Sequence, residues 1–106
     1  MFDPLIQLGR KTVVAMVHVP ALPGSPDYEH TGGMNKLLHS VVADLEALQS
    51  GGVDAIMFGN EFDRPYVLKA PPEGLAALAS VIGQVKSMIK VPFGVNYLWD
   101  PVATVA

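Results

Sequence analysis

The segment VVAMVH, residues 13–18, is a nearly continuous apolar run that ends on a histidine. An apolar run of this length without alternation predicts a β-strand that is buried on both faces, as in parallel sheets covered by helices. Two further runs have the same form: VDAIMFGN, residues 53–60, ends on Asn60, and VPFGVN, residues 91–96, ends on Asn96. The chain is therefore organised around three predicted strands that end on polar side chains.

The segments between these strands have helical periodicity. Apolar residues at helical spacing predict one amphipathic helix from Met34 to Leu48 and a second from Leu75 to Ile89, which Pro71-Pro72 begins. Asp100-Pro101 combines an N-cap residue with a proline at the first helical position and predicts a third helix. The same device at Asp3-Pro4 predicts a short helix over residues 4–8. The resulting β-α-β-α-β-α order is typical of a parallel α/β fold.

The connections between these elements differ in length at the two ends of the predicted sheet. Long loops, residues 19–33 and 61–72, follow the first two strands, whereas the turns from helix to strand are as short as Gly51-Gly52. In barrels and in open sheets the loops at the carboxyl ends of the strands carry the site. The GxGxxG turn of a Rossmann fold is missing after the first strand, so a barrel is the better interpretation. Three βα units cannot close a barrel of eight strands. We therefore expect residues 1–106 to be the N-terminal portion of one longer barrel domain, or a truncated gene product.

Composition excludes several classes of function. The 106 residues carry a formal net charge of -3, which offers no basic surface for nucleic acid. Without cysteine the chain forms neither disulfides nor thiolate zinc sites. No signal peptide and no apolar run of the ~20 residues that a spanning helix needs is visible. We expect a cytoplasmic protein, without direct membrane insertion, whose attachment to any membrane is peripheral and made through a partner.

Three motifs resemble the BtpA family. MVHVPALPGSP, residues 16–26, is similar to its M-x-H-x-P-x-L-P-G-x-P opening, and LQSGGVDAIMFGNEFDRPY, residues 48–66, is similar to its G-G-V-D run ending in N-E-F. VPFGVNYLWDPVA, residues 91–103, resembles its P-x-G-V-N motif. GMNKLL and NEFDRPY resemble the SgcQ-like branch, which accompanies sugar-uptake genes in some bacteria. The resemblance implies a TIM (β/α)8 barrel, of which about three units are present here.

Two classes of function follow from this resemblance. The first is a barrel enzyme or binding protein for a small polar metabolite, similar to a sugar or a phosphate. The second is a non-catalytic biogenesis or stability factor for a membrane complex, because the family takes its name from the biogenesis of photosystem I. Neither the residues nor the resemblance identifies a cofactor. Both classes of function are compatible with a homo-oligomer.

The polar strand ends are the candidate catalytic residues. His18 ends the first strand and Glu61 follows the second, and imidazole and carboxylate groups are common general acids and bases, so both residues are candidate proton carriers. His18 could instead ligate a metal with Glu61 or Asp63, or hold the PALPG loop through a carbonyl group. For Glu61 the alternative is a bond to its own loop, because neighbouring residues of a strand alternate between faces.

Four other residues are candidate ligand-binding residues. Asn60 and Asn96 end strands and could bind hydroxyl groups or could clamp neighbouring loops. Arg64 could meet an anionic substrate, and Trp99 could stack on the face of a sugar. The alternatives are an exposed loop charge for Arg64 and packing of one loop on another for Trp99.

Overall fold

The computed structural model describes residues 9–105, so the helix predicted over residues 4–8 lies outside the described residues. The elements follow the predicted β-α-β-α-β-α order. Their bounds are β1 Val14–His18, α1 Gly33–Ser50, β2 Ala55–Gly59, α2 Pro72–Val85, β3 Phe93–Asn96 and α3 Pro101–Val105. A short 3-10 turn over Lys86–Met88 extends α2 and gives the helix the length that its apolar pattern predicts.

The three strands form one parallel sheet with β2 in the centre. Its register aligns the carboxyl ends of all three strands, because His18 of β1 lies beside Gly59 of β2 and Gly59 lies beside Asn96 of β3. Partners across a parallel ladder point to the same face and their strands lie ~4.8 Å apart. The sheet therefore brings the predicted strand ends into one row.

One face of the sheet is covered by the helices. Apolar side chains of β1 and β2 meet the apolar stripes of α1 and α2, and this contact forms the core of the described residues. Its fully buried members are Val17, Val19, Leu22, Val41, Leu45, Ile56, Phe58, Val81 and Val85. Met34, Leu38, Val42 and Leu48 pack at its edge, so the whole predicted stripe of α1 faces the sheet. This packing confirms the helical periodicity read from the sequence.

The opposite face of the sheet, which we call the bare face, is exposed along β1 within residues 9–105. Val14 is 51% exposed and Met16 is 44% exposed, although both are apolar and lie in β1. The prediction that the strands are buried on both faces is therefore wrong for β1. It is confirmed for the central strand β2, in which Ala55 and Gly59 are buried on this same face and Met57 is half-buried. His18 and Asn96 lie on the same bare face, at the carboxyl ends of the outer strands.

Candidate functional site

Glu61 folds back over the end of β2 on the bare face. A Cβ atom added to Gly59 would overlap the Glu61 carboxylate, so this carboxylate occupies the space that a larger residue at position 59 would fill. Gly59 is the central member of the row that His18 and Asn96 flank. The glycine at the end of β2 thus lets a carboxylate lie between an imidazole and an amide.

The Glu61 carboxylate has no hydrogen-bond donor among the described residues. Both of its oxygens are shielded from solvent and neither has a hydrogen-bond partner, although 22% of the side chain as a whole is exposed. The nearest basic group is His18, whose Nε2 atom lies 3.8 Å from Oε1 of Glu61. This distance is longer than a hydrogen bond but allows an ion pair when the imidazole is protonated. A shielded carboxylate without donors is costly unless a ligand supplies them.

His18 keeps access to solvent beside this carboxylate. Its side chain is 48% exposed, and its ring meets the Phe62 ring edge-on with the ring centroids 6.1 Å apart. Phe62 is itself 45% exposed, so the imidazole lies between an apolar ring and a carboxylate at the open end of the sheet. The pair can exchange a proton with a ligand that lies on the bare face.

Asn60 lies on the opposite side of the chain from Glu61. It is only 2% exposed; its Nδ2 donates to Oδ2 of Asp63 (3.1 Å), and its Oδ1 accepts a hydrogen bond from the backbone N–H of Leu98 (2.6 Å). Asp63 in turn accepts a hydrogen bond from the N–H of Leu22 at 2.7 Å. We name this arrangement the Asn60–Asp63 clamp, because it joins the loops that follow β1, β2 and β3.

The clamp fixes the stretch of backbone from which Glu61 projects. The hydroxyl group of Tyr66 donates to the carbonyl oxygen of Glu61 at 2.8 Å and fastens the loop from its other side. Asn60 thus has the loop-clamping contacts that were the alternative to a ligand-binding role. Asp63, which the sequence suggested only as a metal ligand, uses both carboxylate oxygens within the clamp.

Of the remaining candidate residues, Asn96 completes the row, whereas Arg64 and Trp99 lie in the loops around it. Asn96 is exposed at the end of β3, on the same face as His18. The Arg64 guanidinium lies 6.0 Å from the centroid of the Phe62 ring, in the loop after β2, and Tyr66 raises its pKa through a side-chain hydrogen bond. Trp99 is 61% exposed and has a positive φ of 69°, a conformation that is uncommon outside glycine.

Asp100 is a loop-fixing residue that the sequence identified in part. One oxygen accepts the N–H of Ala103 at 3.0 Å, which confirms the predicted N-cap of α3. The other oxygen accepts the N–H of Ala70 at 2.7 Å, a contact that joins the start of α3 to the end of the loop after β2. The sequence carried no signal for this second contact, because position 70 has no polar side chain.

Neither a metal centre nor a membrane span is formed by the described residues. Within residues 9–105 no three His, Cys, Asp or Glu side chains are grouped closely enough to hold a metal ion. No helix in this part of the chain has both the length and the apolarity that crossing a membrane requires.

The fold and the site define a parallel α/β protein with polar side chains gathered at the carboxyl ends of its strands. The chain belongs to the BtpA family, whose profile it matches over residues 9–106. This match confirms the resemblance that the three sequence motifs indicated.

Individual relatives agree with this assignment. The chain is 55% identical over 94 residues to the putative sgc region protein SgcQ of Escherichia coli, a match that covers 89% of this chain and 35% of that protein. An uncharacterized protein of Pyrococcus horikoshii is 34% identical over 93 residues, covering 88% of this chain and 35% of its own length. An uncharacterized mitochondrial protein of Caenorhabditis elegans is 37% identical over 76 residues, 71% of this chain and 27% of that protein.

The chain thus spans about a third of the length of the curated relatives that it matches. No solved structure matches it.

Proposed function

We propose that this chain supplies the first three βα units of a TIM barrel that binds or converts a small polar metabolite at the carboxyl ends of its strands. The parallel sheet with one helix-covered face and one bare face supports this proposal, because in a barrel the inner face is covered only by the remaining strands. The relatives are long enough for a complete barrel of ~250 residues, since 94 aligned residues are 35% of the SgcQ protein.

The observation that carries the proposal is the Glu61 carboxylate, which is shielded and unpartnered beside His18. A carboxylate in this state needs hydrogen-bond donors, and the hydroxyl groups of a sugar-like molecule can supply two of them. His18 and Glu61 are then the proton carriers, with the amide of Asn96 orienting a ligand oxygen from the other side of Gly59. Arg64 and Trp99 are placed in the loops that would border such a ligand.

The proposed function is tested by ligand binding to the full-length protein. A panel of free pentoses, hexoses and their phosphate esters is screened by thermal shift, and we expect at least one compound to raise the melting temperature. Glu61→Gln and His18→Ala should abolish that shift and any turnover while the melting temperature of the free protein stays nearly unchanged.

Two outcomes would contradict the proposal. Loss of folding in both variants, with binding per folded molecule retained, would make His18 and Glu61 loop-fixing residues. The second outcome is that the full-length protein binds no compound of the panel and that its Glu61→Gln variant still supports the assembly of a membrane complex. This outcome would favour the non-catalytic biogenesis role.

A further inference from the structure

A cavity lies between the loops, away from the His18–Glu61 row. It has a volume of about 250 Å³ and is lined by all three strand-to-helix loops. Asn60 and Tyr97, which continue the helix-covered faces of β2 and β3, contribute to it, whereas His18 and Glu61 do not. Drug-sized ligands occupy pockets of ~300–1,000 Å³, so this cavity fits a smaller molecule.

The walls of this cavity are rich in hydrogen-bond acceptors and poor in donors. Four prolines without an N–H group line it, namely Pro23, Pro26, Pro65 and Pro71. Other lining residues already donate their N–H groups within the protein: Ser25 to Leu22, Asp63 to Asn60, Tyr97 to Thr104 and Leu98 to Asn60. The Oγ atom of Ser25 is buried without a partner. The Asp63 carboxylate can accept hydrogen bonds from a ligand of this cavity, and the Ser25 hydroxyl group can accept one as well as donate one.

The charge around the cavity is predominantly negative, with the Arg64 guanidinium, which is hydrogen-bonded to the lining residue Tyr66, as a cation beside the wall. Asp63 is the only ionisable acid or base among the lining side chains apart from the two tyrosines, and the Glu73 carboxylate lies against Gly24 in the wall. Burial, with smaller contributions from the carboxylates of Asp63, Glu73 and Asp100, raises the pKa of Tyr97 to about 12. The same carboxylates disfavour an anionic ligand and favour a cationic one.

We propose that this cavity binds a small organic ammonium ion. The ammonium group would donate to Ser25 Oγ and to the Asp63 carboxylate, and its apolar part would pack on the prolines and on Tyr66. Tyrosine rings attract cations through their faces, which adds to the preference for a positive charge. The site is distinct from the row at Glu61. The Asn60–Asp63 clamp connects the two, as does Tyr66, which lines the cavity and donates its hydroxyl hydrogen bond to the carbonyl oxygen of Glu61.

Three probes that share an isobutyl group test this proposal on the full-length protein: isobutylammonium, isobutanol and isovalerate. Binding is followed by the amide resonances of Asp63 and Leu98 during titration. We expect saturable binding of the ammonium ion, at least tenfold weaker binding of the alcohol and no binding of the carboxylate. Equal binding of all three, tighter binding of isovalerate, or no saturation by isobutylammonium at millimolar concentration would each overturn the proposal.

Matched variants locate the site. Val67→Trp fills the cavity and should abolish ammonium binding, whereas Leu68→Trp, at a neighbouring position that is 79% exposed and does not line the cavity, should leave it unchanged. Ser25→Ala removes the unpartnered acceptor and should weaken binding about tenfold. Glu61→Gln should not alter ammonium binding, so failure of the proposed function at Glu61 stays distinguishable from failure of this site. Unchanged binding in both Val67→Trp and Ser25→Ala would place the ion elsewhere.

Discussion

The residue that makes the row possible is Gly59, which has no side chain to compete with Glu61 for space. Its neighbours across the ladder, His18 and Asn96, both carry polar side chains toward the same face. A carboxylate that returns over a glycine is held close to the backbone, where water reaches it poorly. This geometry explains why the carboxylate of an otherwise accessible side chain is shielded.

At this scale we predict that Gly59→Ala displaces the Glu61 carboxylate and lowers affinity for the ligand of the row. The overlap is with the mobile end of a side chain, so the free energy of unfolding should change by less than about 1 kcal/mol. A lost hydrogen bond to a charged group is worth about 1.5–3 kcal/mol, or roughly a tenfold to hundredfold loss of affinity. Titration of the full-length variant with the ligand found by screening measures this loss.

Gly83→Ala provides the matched control for this substitution. A Cβ atom added to Gly83 meets no other atom within 4 Å, and the residue lies in the interior of α2. The control should bind the ligand normally and gain about 0.5–1 kcal/mol of stability from helix propensity. Wild-type affinity in Gly59→Ala would show that Glu61 is not confined by the glycine.

At the scale of the elements, Asp100 joins α3 to the loop that leads into α2. The backbone N–H groups of Ala103 and Ala70 stabilise its charged form and hold its pKa below the ordinary value of 3.8. A depressed folded-state pKa contributes stability that is complete above pH 3.8 and is lost as the pH falls through the lower folded value.

We therefore predict that Asp100→Asn destabilises the protein at pH 6 and that the difference from wild type shrinks below pH 3.8. Asparagine keeps the cap of α3 but has one acceptor oxygen, so either Ala103 or Ala70 loses its partner. Denaturant melts of the full-length protein at several pH values measure the difference. Asp44→Asn, on the exposed surface of α1, controls for the loss of one negative charge. A difference that stays constant across this range would contradict the assignment.

The elements themselves were predictable because their signals are local. Apolar runs, helical spacing and the Asp100-Pro101 device each depend on a few adjacent residues, and the strand and helix bounds follow them closely. The direction of Asn60 relative to Glu61 was not predictable, because both follow the last apolar residues of β2. The register with β1 and β3 decides which of the two faces the row, and no adjacent residue encodes that register.

The partners of the Asn60–Asp63 clamp and the cavity between the loops were beyond sequence reasoning for the same reason. Asp63 meets Leu22 across 41 positions of the chain, and Asn60 meets Leu98 across 38 positions. Backbone groups provide the partner in both contacts, so Leu22 and Leu98 have no side-chain signal that marks them. Contacts of this kind become visible only once the loops are placed.

At the scale of the whole molecule, exposed apolar surface and open sheet edges determine whether these three βα units are stable by themselves. Val14 and Met16 expose apolar surface on β1, and Val102 and Val105 of α3 are 79% and 86% exposed. Among residues 9–105 no further strand pairs with the outer edge of β1 or of β3, so backbone donors and acceptors there are available for pairing with another strand. Relatives about two and a half times as long supply enough chain to cover both.

We predict that a polypeptide of these 106 residues alone does not form a stable monomer. Removing apolar side chains from water stabilises a protein by ~25 cal/mol per Å², and an exposed face forfeits this contribution while the backbone still loses its entropy on folding. The piece should either melt without cooperativity or associate through its open sheet edges and apolar face, whereas the full-length protein should melt cooperatively as a unit. Calorimetry and sedimentation velocity over a range of concentrations distinguish these states. A cooperative transition of a dilute piece that sediments as a monomer would mean that the helix-covered face alone holds the three βα units together.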